Sequence, residues 1–150
     1  MKNDAYTVAM RSSALMMGLA GIVTVHVLDL PAKMEEVPYI GFMYIGAILV
    51  AGILMYRMMV RPSRVDFAAA AVLAVAVIAG YVVNRTTGMP GAMDDIGNWW
   101  EPLGLLSLII EAWVVFLGIS SARRMSSVRG NSSTLPLVHE DSAAARADIS

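Results

Sequence analysis

At 150 residues, with 57% hydrophobic and 15% charged side chains and a mean hydropathy of +0.64, the chain departs from a water-soluble domain toward the membrane class. A formal net charge of −1, with no like-charge run longer than two residues, excludes a nucleic-acid partner. The absence of cysteine excludes disulfides, thiolate metal sites and cysteine chemistry, and leaves the redox compartment open.

Four segments have no charged residue, or in the last only Glu111, over spans near the ~20 helical residues needed to cross a bilayer. They are Ser12 to Leu28, Val37 to Tyr56, Phe67 to Asn84 and Pro102 to Ala122. The expected fold is therefore all-α, a four-transmembrane-helix bundle with helices at about 11–29, 37–58, 65–84 and 101–123. Lys2 and Arg11 ahead of the first apolar run also fit a signal peptide. No small-residue cleavage site follows, however, and His26, Asp29, Pro31 and Lys33 come instead, which favours a retained helix.

Orientation follows from Lys and Arg near the helix ends. Lys2, Arg11, Arg57, Arg61, Arg64, Arg123, Arg124 and Arg129 fall on one side, and Lys33 and Arg85 on the other, eight against two. That predicts an up-down-up-down bundle with both termini cytoplasmic and two acidic outer connections, in a multi-pass protein of a bacterial plasma membrane. The segment RMMVRPSRVD is short enough to make a hairpin of the second and third helices, with Pro62 and Ser63 at the turn. Gly18, Gly21, Gly41, Gly46, Gly52, Gly80 and the alanines from Ala68 to Ala79 let membrane helices approach closely. The twelve methionines lie mostly inside apolar runs and read as core- or lipid-facing filler rather than a copper array. Residues 1–124 are thus the membrane domain, and the Ser/Ala-rich residues 125–150 a disordered cytoplasmic tail.

The stretch from Asn84 to Glu111 joins a loop punctuated by Gly88, Pro90, Gly91 and Gly97 to the fourth helix, with Trp99 and Trp100 where the chain would cross a headgroup layer. From Pro102 to Ala122 the only ionisable side chain is Glu111. An ionised carboxylate at the bilayer centre costs at least roughly 2.5 to 3.5 kcal/mol, so such residues face the bundle interior and mark a pathway or site. Gly104, Ser107, Glu111 and Gly118 share one helix face, a small and polar stripe that should turn toward the other helices. The plainer alternative is a protonated Glu111, hydrogen-bonded across the bundle as packing glue.

Counting ~1.5 Å per residue from the inner helix ends puts Glu111 about 16 Å up, Thr24 and Tyr44 about 18 Å, and His26, Tyr81 and Ser107 about 21 to 22 Å. Thr24 and His26 point about 200° apart, so only one can face Glu111. Thr24, on the side of Gly21, is the expected partner; His26 is expected beside Asp29 near the outer interface. The ligand or proton-site candidates are Glu111, Ser107, Thr24, Tyr44, Tyr81 and His26, around a polar pocket open to the outside. A metal at His26 would have only carboxylates such as Asp29, Glu35, Glu36, Asp94 or Asp95 to complete it. Arg85 is expected to pair with an outer acid and anchor a loop, with capture of an anionic headgroup as the alternative. No G-x-S-x-G, H-E-x-x-H, phosphate loop or C-x-x-C occurs.

Two stretches, His26 to Gly41 and Asn84 to Glu111, carry an H-x-x-x-x-P, an E-E-x-P-Y-x-G, an R-T-x-G-x-P and an E-P-x-G-x-x-x-L-x-x-E. Over residues 20 to 120 the chain resembles a family of uncharacterised small four-helix integral membrane proteins of bacteria, many of them actinobacterial. The matching positions are His26 with Pro31; Glu35, Glu36, Pro38, Tyr39 and Gly41; Arg85, Thr86, Gly88 and Pro90; and Glu101, Pro102, Gly104 and Glu111. Some relatives have a further histidine where this chain has Lys33 or Met34, which weakens a metal site. The resemblance implies the topology and an outward site, and it implies no activity and no cofactor. The outer-loop candidates are Asp29, Glu35, Glu36, Tyr39, Arg85, Asp94, Asp95, Trp100 and Glu101.

Three functions follow. The first is a non-enzymatic accessory subunit or small-ligand or lipid binder, whose partners are the lipid bilayer and either another membrane protein or a second copy. The second is a small proton-coupled transporter using Glu111, and the third a membrane-embedded oxidoreductase or metal protein.

Overall fold

A computed structural model describes residues 2–132, with side chains over residues 6–126. The chain forms helices α1 (Lys2–Glu36), α2 (Pro38–Val60), α3 (Arg64–Thr86) and α4 (Pro102–Ser132), with a single 3-10 turn at Met93–Asp95. The all-α expectation holds, and all four helices are long and apolar enough to cross a membrane. Only 22–33% of each apolar window is buried. Met17, Phe42, Leu49, Ile53, Ile109 and Phe116 all point outward. A water-soluble bundle would turn such side chains inward; here the outer surface has the composition of a lipid-facing one.

α3 packs most extensively on α4, and α1 on α2, with α1 also against α4; of these neighbouring pairs, α2 and α3 touch least. Arg11 near the start of α1 donates to Ser120 and Ser121 near the end of α4, at 3.1 and 3.0 Å. Arg57 near the end of α2 donates to Asp66 at the start of α3, at 2.5 Å. Close to these basic residues lies a dry core built on Leu15, Leu19, Leu54, Phe67, Ala70 and Val114. This half of the bundle is its basic end. A smaller cluster of Val37, Ile40 and Ala92 packs at the opposite, acidic end.

Local chemistry explains the α2–α3 connection. Ser63 caps α3 by accepting from the Asp66 amide, and the Asp66 carboxylate accepts from the Ser63 amide at 3.0 Å, a reciprocal capping box. Asp66, 1% exposed, thereby has a cap and a cation, which a buried carboxylate requires.

Two boundaries differ from expectation. α1 does not stop near residue 29 but continues through Pro31 to Glu36, with Val37 alone separating it from α2. The expected end near residue 29 follows the charge-free stretch, which stops at Leu28; a proline inside a helix also removes a hydrogen bond and costs about 3 kcal/mol. The extension is held by tertiary contacts that offset this: Tyr44 donates to Asp29 at 3.0 Å, and Lys33, in the last turn, bonds Glu36 and sits where a cation favours a helix end. α4 likewise passes residue 123 and runs to Ser132, so residues 125–132 are helical; no glycine or proline stands between Arg123 and Arg129. The rest of the expected tail, 133–150, lies outside the described residues.

Glycines set the close contacts. A Cβ at Gly18 would meet Val114 Cγ2 at 2.6 Å, one at Gly21 would meet Ile110 Cγ2 at 3.1 Å, and one at Gly118 would meet the Phe67 carbonyl oxygen at 2.6 Å. The last obstacle is backbone and cannot swing aside. Gly118→Ala is therefore expected to destabilise the bundle by about 1–3 kcal/mol, whereas Gly52→Ala, with no atom within 4 Å, should be neutral or stabilising by up to ~1 kcal/mol. Denaturant titration of the purified protein in mild detergent reads both; equal midpoints for Gly118→Ala and wild type would refute the close α3–α4 approach.

Candidate functional site

The acidic half of the bundle is hollow. A cavity of about 350 Å³ is walled by all four helices, including His26, Asp29, Lys33, Tyr44, Tyr81, Arg85, Ser107 and Glu111. That volume is within the range of small-molecule sites, which begin at roughly 300 Å³. Glycines on α3 and α4 explain part of the shape, since a Cβ at Gly104 would meet Tyr81 Cε2 at 2.5 Å and push that ring out of place.

Glu111 is 1% exposed, so its carboxyl faces the interior and not acyl chains. Ser107, one turn before it, donates to Glu111 Oε1 at 2.5 Å. Oε2 is buried and accepts from nothing. No Lys, Arg or His forms an ion pair with Glu111 among the described residues. The polar stripe through Gly104, Ser107, Glu111 and Gly118 does turn inward, as its spacing predicts.

The expected exchange between Thr24 and His26 is reversed. Thr24 is exposed and donates to the Ala20 carbonyl at 2.8 Å, away from the cavity. His26 is 4% exposed and lines the cavity. Its Nδ1 lies 2.9 Å from the Ile22 carbonyl oxygen; because a carbonyl only accepts, Nδ1 carries the proton, and in the neutral ring Nε2 is left as an acceptor. The His26 and Tyr44 rings meet edge-on with centroids 4.6 Å apart. The Tyr44 hydroxyl then donates to Asp29, so the three form one wall.

Arg85 closes the acidic end. It is 3% exposed and donates to Asp95 Oδ1 at 2.5 Å and to Glu101, with its guanidinium 5.1 Å from the centroid of the Tyr81 ring. Asn84 donates to the other Asp95 oxygen at 2.8 Å. The loop beneath is fixed by Tyr39 donating to the Pro90 carbonyl at 2.8 Å and by Gly88 at φ 76, a conformation that favours glycine. Loop anchoring by Arg85 matches the sequence expectation.

Tyr39 and Glu36 lie outside the cavity wall, and Glu35, Asp94 and Trp100 are exposed and take no part in it, Trp100 at 84%. The polar lining residues Lys33 and Asn84 were not among the sequence candidates. Lys33 follows His26 by seven and Asp29 by four, one helical face, a signal hidden by ending α1 too early. Among the described residues, no three His, Asp or Glu side chains converge as metal ligands.

The lining is divided. Exposed wall residues Met43, Gly46, Val50 and Ala76 sit on α2 and α3, the pair that packs least, and a Cβ at Gly46 or Gly80 would touch nothing within 4 Å. The cavity therefore has an apolar mouth at the α2–α3 seam. Its polar groups lie behind that mouth and toward the acidic end.

Burial works against the charged form of Asp95, but hydrogen bonds from Asn84 and Arg85 and the charges of Lys33 and Arg85 outweigh it and hold its carboxyl below the ordinary aspartate range. A depressed folded-state pKa contributes stability that is complete above the unfolded value of about 3.9 and is lost as pH falls through the lower folded value. Acid titration of thermal unfolding should show that loss in wild type and much less of it in Asp95→Asn. Arg85→Gln strands two acids and should destabilise by roughly 3 kcal/mol, at the low end for breaking a buried pair because both acids keep some solvent contact. An unchanged midpoint for Arg85→Gln would contradict this reading of the loop. No family model, curated protein or solved structure matches the chain, and its function is therefore to be read from the cavity itself.

Proposed function

We propose that the chain is a multi-pass protein of the bacterial plasma membrane, up-down-up-down with both termini cytoplasmic, as in the small four-helix family it resembles. It acts as a non-enzymatic binder or accessory subunit that takes a small amphipathic molecule into the cavity. Support for the topology comes from Arg11 meeting Ser120 and Ser121 and from Arg57 meeting Asp66, together with the bias of Lys and Arg toward that end. The acidic end is then extracellular.

The observation that carries the binding role is the divided lining, an apolar mouth at lipid depth leading to polar groups. Three of those groups hold buried atoms without a partner: Asn84 Oδ1, Arg85 Nε and Glu111 Oε2. Buried polar atoms are ordinarily hydrogen-bonded. An amphipathic occupant brings the missing partners in its polar part and fills the seam with its apolar part.

Protein purified in mild detergent should carry a molecule that extraction and mass spectrometry find enriched over the bulk membrane. Glu111→Gln, nearly isosteric, should reduce its occupancy at least about tenfold. Recovery of bulk lipid alone from wild type, or equal occupancy in both proteins, would end the proposal.

The free Glu111 Oε2 favours one second reading, proton-coupled transport, because a carboxyl with an open oxygen can exchange a proton for a ligand. In proteoliposomes, the recovered molecule should then accumulate against its gradient when a pH difference is imposed, and Glu111→Gln should stop it. Accumulation unaffected by the variant would remove this reading.

A further inference from the structure

We propose that the molecule taken into this cavity is a lipophilic cation, an amine or quaternary ammonium on an apolar body, with its positive centre against Glu111 and its body in the α2–α3 seam. The inference rests on the cavity being a binding site and adds the charge of what it binds.

The argument is one of charge. Two cations line the cavity, and both are engaged. Lys33 lies 2.9 Å from Glu36 and 3.7 Å from Asp95, and Arg85 pairs with Asp95 and Glu101. Two carboxyl groups on the wall, Asp29 and Glu111, have no ion pair among the described residues. Asp29 accepts only the neutral Tyr44 hydroxyl, with Lys33 acting on it at longer range. Glu111 accepts only the Ser107 hydroxyl and keeps Oε2 unpartnered while 1% exposed.

An anionic ligand would meet two acids, and the one cationic atom left open, Arg85 Nε, belongs to a guanidinium already paired with Asp95 and Glu101. A neutral one could donate to Glu111 Oε2 but would leave the local excess of acids unbalanced, and charge imbalance weighs more in a site closed off from water. A cation against Glu111 gives its open oxygen a counter-charge, and Asp29 lines the same cavity. These walls already accommodate one, since the Arg85 guanidinium lies over the Tyr81 ring. Small inorganic cations are disfavoured because no three acidic or histidine side chains converge among the described residues. The mouth selects for an apolar body, as Met43, Gly46, Val50 and Ala76 offer it no hydrogen-bonding side chain.

Tetraphenylphosphonium and tetraphenylborate have nearly the same size and shape and opposite charge. Equilibrium dialysis against the full-length protein in nanodiscs, with empty nanodiscs subtracted, should find saturable phosphonium binding at least about tenfold tighter than borate binding. Glu111→Gln should lose at least about tenfold in phosphonium affinity and Asp29→Asn a smaller factor of about three, with unchanged elution volume and thermal midpoint for both variants. The wild-type comparison of the two ions needs no variant and decides the matter even where a substitution disturbs folding. Borate binding as tightly as phosphonium would overturn the proposal. Were neutral triphenylmethanol to bind as tightly as the phosphonium ion, the cation assignment would fall and amphiphile binding would stand. If none of the three bound saturably, both would fall.

Discussion

A carboxyl group midway along an apolar helix must be walled off by the other helices, and that requirement organises this bundle. Glu111 meets it with helix backbone rather than bulk. Gly18 and Gly21 bring α1 against α4 at Val114 and Ile110, and Gly118 brings α4 against the backbone of α3 at Phe67. Leu15, Leu19 and Val114 then seal the region toward the basic end without exposure. Between membrane helices there is little hydrophobic gain to exploit, so close approach through small residues and a few buried polar contacts must supply the association. The same glycines that bind the helices together therefore also enclose the acid.

Small residues have the opposite effect on the other side. Gly46 and Gly80 line the cavity and approach nothing, because α2 and α3 are joined tightly at Arg57, Ser63 and Asp66 and pack least of the neighbouring pairs. Where a partner backbone is close, a missing side chain makes a contact. Where none is, it makes a hole. The bundle is thus dense at its basic end and hollow at its acidic end, and the parts that hold it together are largely separate from the parts that face the cavity. Arg85 is the exception, since it lines the cavity and also fastens the loop between α3 and α4 through Asp95 and Glu101.

What the sequence discloses follows from which physical quantity each feature depends on. Membrane spans depend on long stretches without charge, and these read directly; so did the inward turn of Glu111 with Ser107, because one helix period fixes it, and the Ser63 cap, because its chemistry is local. The choice between Thr24 and His26 depends on the absolute rotation of α1 about its axis. Counting angles gives only their separation, and the glycine face that was used to choose between them packs on α4 near Ile110, not on the cavity. The charge-free stretch stops at Leu28, so a helix end near residue 29 is the expectation, whereas what carries α1 through Pro31, the contacts of Asp29 and Lys33 with Tyr44, Glu36 and Asp95, is not local. The α2–α3 opening had no sequence signal, since an exposed and a packed glycine look alike.

Extension of α1 beyond Pro31 decides what the cavity can hold. Ending the helix at Asp29 would place Lys33 in a loop, free to reach Glu111 or an incoming anion. As a helix, the segment carries His26, Asp29 and Lys33 on one face and directs the lysine up to Glu36 and Asp95. Arg85 is held at the same level by Asp95. Both cations are thus gathered at the acidic end around a shared carboxylate, and Asp29 and Glu111 are left without an ion pair to either of them. Had one cation been left at depth, the acid would have an internal partner and the cavity would be electrically closed. The sorting of charge along the cavity, set by a helix that continues where its proline suggests a stop, is what gives the pocket a sign.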